Sequence, residues 1–396
     1  MTILMVYSPE LAQSFLKSGD LGHLSKPKSV FYKIMKPFLG NSLLFHNGQL
    51  WRDRRKLFMR SMSFQNLRNY MSLLNKHSHH FVSELDNLFG DGQIHQINSA
   101  INSIFLAIIT EIVTGSDISE TNKAREFHEN FQSWKNTMMC RLEKIWLHSD
   151  FLWNFNPQKL VHDEAVASIR KFSLERLLEH KKRREEKQVE IRNILDELID
   201  AGATDEEIIN EINTLLSGGH EMSAATVHMF LLLMTNYPHH QDACRNEIDR
   251  VFEDKEQTLN GNFTFEALSS LKYLERCLLE TMRLLPPVFA FMRELKVEMK
   301  IEYNGNQVNV PVGTQVAIVP WAIHRNEDYW PNPETFNPDR FLPEECAKGT
   351  LTLIFHFQLD QGIVSSTDRL EDVPLLPRIT ITPERDYNFV MKRRAF

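Results

Sequence analysis

Four cysteines stand at positions 140, 244, 277 and 346. A thiolate can ligate a metal or attack an electrophile where its surroundings favour the charged form. None of the four has such a setting in the sequence. They are far apart and form no close pair of the zinc type. Cys140, Cys244 and Cys277 lie within helical patterns and read as small buried hydrophobes, so no metal ligand is assigned. Chemistry-bearing residues lie elsewhere. Glu280 and Arg283 are three apart on one helix face, where a carboxylate and a guanidinium meet. Taken alone, such a pair is also an ordinary surface ion pair. Trp51 and Arg55 share a face of a short basic helix. Arg293 ends the otherwise apolar run Val288-Phe-Ala-Phe-Met. Gly218-Gly219-His220-Glu221-Met222-Ser223 sets two glycines, an acid and a hydroxyl inside an apolar helix.

Helices must position most of these groups. Helical spacing covers Leu50 to Met59, Phe64 to Leu88, Ile94 to Val113, about 120 to 147, and about 163 to 199. The last carries the basic run His180 to Lys187, which reads as a solvated face more readily than as a membrane or acidic-partner contact. Thr204-Asp-Glu-Glu207 is a capping box, and an apolar helix follows it to Pro238. Two glycines inside such a helix each cost about 1 kcal/mol relative to alanine. Two readings account for them. A flat or bulky group approaches there, with local distortion of the helix, or two helices cross closely.

Past Pro286-Pro287 the pattern changes to short strands, Lys296 to Ile301, Gln307 to Val310 and Gln315 to Val319. Asn304-Gly305 is a hairpin turn and Pro311 to Thr314 another. Trp321 to Pro343 is irregular. Arg378 to Thr382 and Tyr387 to Met391 read as a final strand pair. At the start, Thr2 to Tyr7 reads as a short buried strand and Pro9-Glu10 opens a helix. A chain that begins directly in a strand reads as a fragment of something longer. The class is mainly α with small β-sheets, an α+β arrangement.

Bulk properties set limits. The 396 residues suffice for a large core, and length alone suggests two domains. A net charge of -7 disfavours a nucleic-acid surface. The 26 phenylalanines against 8 tyrosines make a greasy interior, suited to an apolar ligand or simply to packing. No apolar run reaches about 18 residues, so no membrane span is expected.

In order along the chain, Trp51-Arg-Asp-Arg-Arg55, the Gly218 to Ser223 segment, Glu280-Thr-Met-Arg283, Arg293, Trp321-Ala-Ile-His324-Arg325 and Phe336-Asn-Pro338-Asp339-Arg340-Phe341 form a specific combination. It resembles the cytochrome P450 superfamily, most nearly the animal microsomal fatty-acid-hydroxylase type. The resemblance implies one P450-like domain over 1–396, with a helical bulk over about 9–285 and a small-sheet and meander region over about 288–396. It implies haem as cofactor, with Trp51, Arg55 and Arg293 at the propionates and Gly218 and Gly219 at the haem face. Glu280, Arg283 and Arg340 are implied as a structural triad, and Glu221 as a proton relay with Ser223 as its weak hydroxyl partner. The implied activity is insertion of one oxygen atom from O2 into a fatty acid, hormone-like lipid or foreign lipophile. NADPH-P450 reductase is the implied electron donor, and the endoplasmic reticulum membrane the implied location, with peripheral membrane contact.

The chain departs from the family at four places. Met222 occupies the usual threonine position and cannot relay a proton. Gly218 stands where related members carry a glutamate that links to haem. The N-terminal anchor is missing, which leaves a cytoplasmic location open. After Phe341-Leu-Pro-Glu-Glu345, the loop Phe-x-x-Gly-x-Arg-x-Cys-x-Gly should supply the thiolate ligand of iron. The chain instead reads Cys346-Ala-Lys-Gly-Thr-Leu, so the proximal haem region is incomplete. Neither Cys346 nor His356 has the spacing of a native ligand. Three readings follow: a P450-type monooxygenase, silent in this exact chain; a non-catalytic truncated relative that binds a lipid or partner; and an unrelated helical binding protein.

Overall fold

The computed structural model describes residues 2–16, 24–27, 29–61, 64–91, 93–119, 121–187, 191–303 and 305–346, with the backbone of four later strands. These divide into two compact units. The first comprises Met1–Asn66, Leu106–His220 and Ala290–Val319; the second comprises Leu67–Phe105, Glu221–Phe289 and Pro320–Phe396. Helices dominate both, with small sheets beside them.

In the first unit a four-stranded sheet runs in the order Ile3–Val6, Gln315–Ile318, Phe291–Leu295, Leu24–Ser25. Ile3–Val6 pairs parallel to Gln315–Ile318, and the other pairings are antiparallel. Only Val6 of the first strand is fully buried, while Ile3 and Met5 are exposed, so this strand buries one face and not both. Phe291–Leu295 lies between two partners, although its run of apolar residues lacks strand alternation. A hairpin joins Met299–Tyr303 to Asn306–Val310, and Gly305 takes φ +73, the left-handed backbone such a turn requires. The helix Lys123–Glu143 packs along Gln158–Glu185. Phe38, Phe131 and Trp134 form the aromatic centre of this unit.

The second unit carries Met71–Phe89, Pro238–Glu253 and Lys272–Leu284. A three-stranded sheet runs Ile363–Ser366, Asn388–Met391, His95–Gln96.

Three expectations need correction. The final strands do not pair with each other. Asn388–Met391 pairs with Ile363–Ser366 and His95–Gln96, whereas Ile381–Pro383 pairs with Leu375–Pro377. The expected helix from Phe64 breaks at Tyr70 into Phe64–Asn69 and Met71–Phe89. The expected 163–199 helix is two, Gln158–Glu185 and Ile194–Asp200, because Asn193 starts a new helix with its own capping box. As expected, Asp205–Asn236 is one continuous helix through both glycines. Its start has reciprocal caps: Thr204 N–H donates to Glu207 Oε2 at 2.9 Å, and Glu207 N–H to Thr204 Oγ1 at 3.3 Å.

Candidate functional site

In the second unit, Glu280 and Arg283 sit on the Lys272–Leu284 helix, both essentially inaccessible to solvent. The pair is a bidentate fork: Arg283 Nε donates to Glu280 Oε2 at 2.7 Å and Nη2 to Oε1 at 2.9 Å. The same guanidinium donates to the carbonyls of His324 and Pro333 at 2.7 Å each. Asn337 N–H donates to Glu280 Oε1 at 2.8 Å, and Arg340 Nε approaches that oxygen at 3.4 Å. Arg340 Nη2 donates to the carbonyl of Asn332 at 2.8 Å, which steadies a residue in left-handed backbone, φ +51. Trp330 lies under the guanidinium of Arg283 and packs with Leu279 and Phe341. These charges are spent on each other and on backbone. The arrangement binds an irregular segment to a helix and has no free group for chemistry.

In the first unit, Trp51 and Arg55 lie on the Gly48–Ser61 helix. Arg55 is over the Trp51 ring at 5.1 Å, and Lys26 lies 5.8 Å from the same ring centre. Burial, then the charge of Arg293, lowers the Lys26 ammonium to about 8. Arg293 is on the inner strand Phe291–Leu295, its guanidinium over Phe291 at 5.6 Å and donating to Met292 O at 2.8 Å. Among the described residues, no carboxylate forms an ion pair with Lys26, Arg55 or Arg293. On Lys26, Arg293 acts as a like charge and Glu211 as an opposite one. Glu211, buried on the long helix, accepts Leu43 N–H on both oxygens at 3.0 Å. Its burial pushes the carboxyl up to about 7. Sequence reasoning missed Lys26 and Glu211, since neither carries a local signal.

On the Asp205–Asn236 helix, Gly218, Gly219, Met222 and Ser223 are half-buried, whereas His220 and Glu221 are buried. A Cβ on Gly219 would lie 2.5 Å from Ile109 Cγ1, so the helix Asn98–Thr114 lays a side chain on that glycine. His220 Nδ1 donates to Leu216 O at 2.6 Å, and burial lowers the ring to about 4, so it is neutral. The Met222 carbonyl accepts the Thr226 hydroxyl at 2.9 Å. Met222 supplies no hydroxyl of its own.

Cys244 and Cys277 face each other in the second unit, Sγ to Sγ at 3.7 Å, both buried. The contact with Cys244, then burial, pushes the Cys277 thiol up, which opposes thiolate formation. Cys346 ends the short helix Pro343–Cys346, and its side chain lies outside the described residues, as does His356.

The sequence profile of the family Cytochrome P450 matches residues 1–353. The chain belongs to the cytochrome P450 family. Relatives include Cytochrome P450 4c3 of Drosophila melanogaster, 28% identical over 96% of this chain and 78% of the relative. Cytochrome P450 4V2 of Mus musculus is 28% identical over 80% of this chain and 62% of its own length. Taurochenodeoxycholic 6 alpha-hydroxylase of Sus scrofa is 25% identical, over 86% and 68%. The fold matches the crystal structure of a cytochrome P450, CYP102L1, with TM-score 0.80 at 16% identity, covering 99% of this chain and 92% of that one. Haem, the P450 cofactor, carries two carboxylates on an apolar ring. The cations Lys26, Arg55 and Arg293, with no ion pair to an acid among the described residues, fit those carboxylates. For the iron, Cys244 and Cys277 are buried against each other, and Cys277 opposes a thiolate. The P450 fit holds at the carboxylate edge, and among the described residues it has no counterpart at the axial position.

Proposed function

We propose that this chain is a P450-type protein for lipophilic ligands that retains a haem-carboxylate cradle but does not carry out the family's oxygen insertion. The family reaction is oxidation of a fatty acid, hormone-like lipid or xenobiotic, with electrons from a reductase. One observation carries the reading: the sequence runs from Phe341-Leu-Pro-Glu-Glu345 into Cys346-Ala-Lys-Gly without the cysteine loop. Thiolate ligation is what drives O–O cleavage on haem. When bound, haem would supply redox chemistry; Arg55 and Arg293 would hold its propionates, and Gly218 would admit its face, whereas Gly219 is covered by Ile109. Glu221 and Ser223 would be the acid and hydroxyl beside it, with Met222 leaving the relay broken. Glu280, Arg283 and Arg340 would be structural. The decisive test is to add haem, reduce it under carbon monoxide and record the Soret band. The expected result is haem uptake with a band of the non-thiolate kind. A thiolate-type band would show the chain to be an intact monooxygenase centre.

Peripheral membrane contact is part of the same reading. Ile145, Phe151 and Phe155 are 76%, 70% and 75% exposed, and Trp146 and Leu160 are exposed beside them in sequence. Such a run favours an apolar or interfacial environment. This supports the membrane location implied by the family. Co-sedimentation with phosphatidylcholine vesicles should fall severalfold for Phe151→Asp/Phe155→Asp; unchanged sedimentation would refute this element.

A further inference from the structure

We propose that His180 is a proton-operated pin: with a proton on each ring nitrogen it fastens the end of the Asn98–Thr114 helix to the start of the Ile194–Asp200 helix, and loss of one proton releases the first of these. The pin lies within the first unit and does not depend on the haem reading. His180 opens the basic run His180 to Lys187, yet it is not on a solvated face, being 1% exposed.

Both ring nitrogens face oxygen. Nδ1 lies 3.1 Å from the Thr114 carbonyl oxygen, and Nε2 lies 3.1 Å from Asp196 Oδ1. A carbonyl can only accept, and this one also accepts from Arg183 Nη2 at 2.6 Å. Thr114 ends its helix, and Gly115 turns the chain at φ +69, so the last carbonyls have no partner within the helix. A cation is favoured at such an end. Asp196 is an acceptor too. Its Oδ1 accepts from Arg184 Nη1 at 3.1 Å, and its Oδ2 accepts from Asn193 N–H at 3.0 Å, closing the capping box. Burial works against this carboxylate, but the hydrogen bonds from His180 and Asn193 outweigh it and hold the carboxyl below its usual range.

A neutral imidazole has one N–H and one lone pair, so it serves only one of these two oxygens. The charged ring donates to both. When one proton leaves, the carboxylate keeps the other on Nε2, because a bond to an ionised acceptor is the stronger. The Nδ1 lone pair then faces the Thr114 carbonyl in a buried site, and that contact opens.

The surrounding charges come from three elements. Glu179, Arg176, Arg183 and Arg184 lie on the same helix as His180, Glu111 on the Asn98–Thr114 helix, and Asp196 and Asp200 on the Ile194–Asp200 helix. They are engaged with one another: Arg176 with Glu179, Arg184 with Asp196 and Asp200, and Arg192 with Glu197 and Asp200. A lysine or arginine at position 180 would hold its charge and could not act as a switch.

The test follows the full chain from pH 5 to pH 9 by two readouts. Ring nitrogen signals of 15N-histidine protein report the protons on His180. Hydrogen exchange reports the amides of Gly115 and Ser116, which donate to Glu111 O at 2.7 Å and to Thr114 Oγ1 at 3.2 Å. Their protection is taken relative to the strand Gln315–Ile318, which removes any change shared by the whole unit. At the acid end both nitrogens should carry protons; at the alkaline end only Nε2 should. Relative protection should fall about tenfold as the ring titrates, the worth of one buried hydrogen bond. Asp196→Asn should remove the effect. Its oxygen still serves Asn193, and its NH2 can donate to the lone pair of a neutral ring, which then keeps its proton on Nδ1 for Thr114. That variant should show a flat profile and the Nδ1–H ring. A singly protonated His180 at the acid end, protection that stays flat while the native ring titrates, or a tenfold fall that persists in Asp196→Asn each overturns the proposal.

Discussion

Removing the charge of Glu280 should destabilise the second unit severely. Glu280→Gln keeps the side chain's shape and one carbonyl oxygen. Wild-type Glu280 accepts from Arg283 Nε at 2.7 Å, Arg283 Nη2 at 2.9 Å and Asn337 N–H at 2.8 Å. A glutamine amide has one acceptor oxygen. Whichever way it turns, its NH2 faces a donor, and the Arg283 guanidinium is left buried without an anion. Breaking a buried pair from one side costs about 3–5 kcal/mol, since the remaining charge is uncompensated. The total stability of a domain is only about 5–15 kcal/mol. For a unit of this size, about 2–4 °C per kcal/mol gives a fall in Tm of about 6–20 °C. Hydrogen exchange checks the location: amides of Asn337 and its neighbours should exchange faster, while those of Ile3–Val6 in the first unit should not. A double-mutant cycle with Arg283→Met removes both charges, and the double variant should lose at least 2 kcal/mol less than the sum of the singles. A melt within about 1 kcal/mol of wild type for Glu280→Gln would refute the claim that this carboxylate braces the segment.

Three further outcomes follow from the geometry. The raised carboxyl of Glu211 means the folded chain binds a proton that the unfolded chain releases between about 4.5 and 7; stability therefore falls as pH rises through that window, by an amount of the order of 3 kcal/mol. Glu211→Gln should flatten that part of the denaturation-midpoint profile and stabilise the protein above pH 7; an unaltered profile contradicts the assignment. Gly219→Val places carbon 2.5 Å or closer to Ile109 and should cost about 1–3 kcal/mol in a thermal melt, part of it recovered by Ile109→Ala, with no recovery counting against the contact. Cys244 and Cys277 should resist a thiol-labelling reagent in the native state and react on unfolding, as mass spectrometry of the two peptides reads directly; labelling at the rate of a free thiol would disprove their burial.

The braced helix was legible in the sequence because its partners are local: Glu280 and Arg283 meet through the helix period alone. So was the start of the long helix, where Thr204 and Glu207 cap each other across three residues. The mainly helical class with small sheets followed from periodicity, and the likeness of the fold to P450 structures agrees with it. Partners distant in sequence were not legible. Asn388–Met391 pairs with His95–Gln96, and alternation in a strand says nothing about which strand lies beside it. The strand Phe291–Leu295 was hidden because Phe291, Met292 and Leu295 do not alternate with polar residues. Lys26 reads as an ordinary lysine before a proline. Its character comes from burial and from Arg293, distant in sequence, which no window of local sequence contains.

The two sets of charges differ in what they ask of a ligand. In the second unit every charge of the brace has a partner within the unit. Arg283 has Glu280 and two carbonyls, and Arg340 has the Asn332 carbonyl. Such a network is stable by itself, so its presence is neutral evidence about haem. It would hold the segment from His324 to Phe341 whatever followed Cys346. In the first unit Lys26 and Arg293 gain nothing from each other, and burial prevents water from fully screening them. On the proposed reading a bound carboxylate would offset that repulsion, so the cation cluster, more than the brace, is where a haem carboxylate would be held. A chain that binds a porphyrin there without ligating its iron would separate the two functions that P450 enzymes combine.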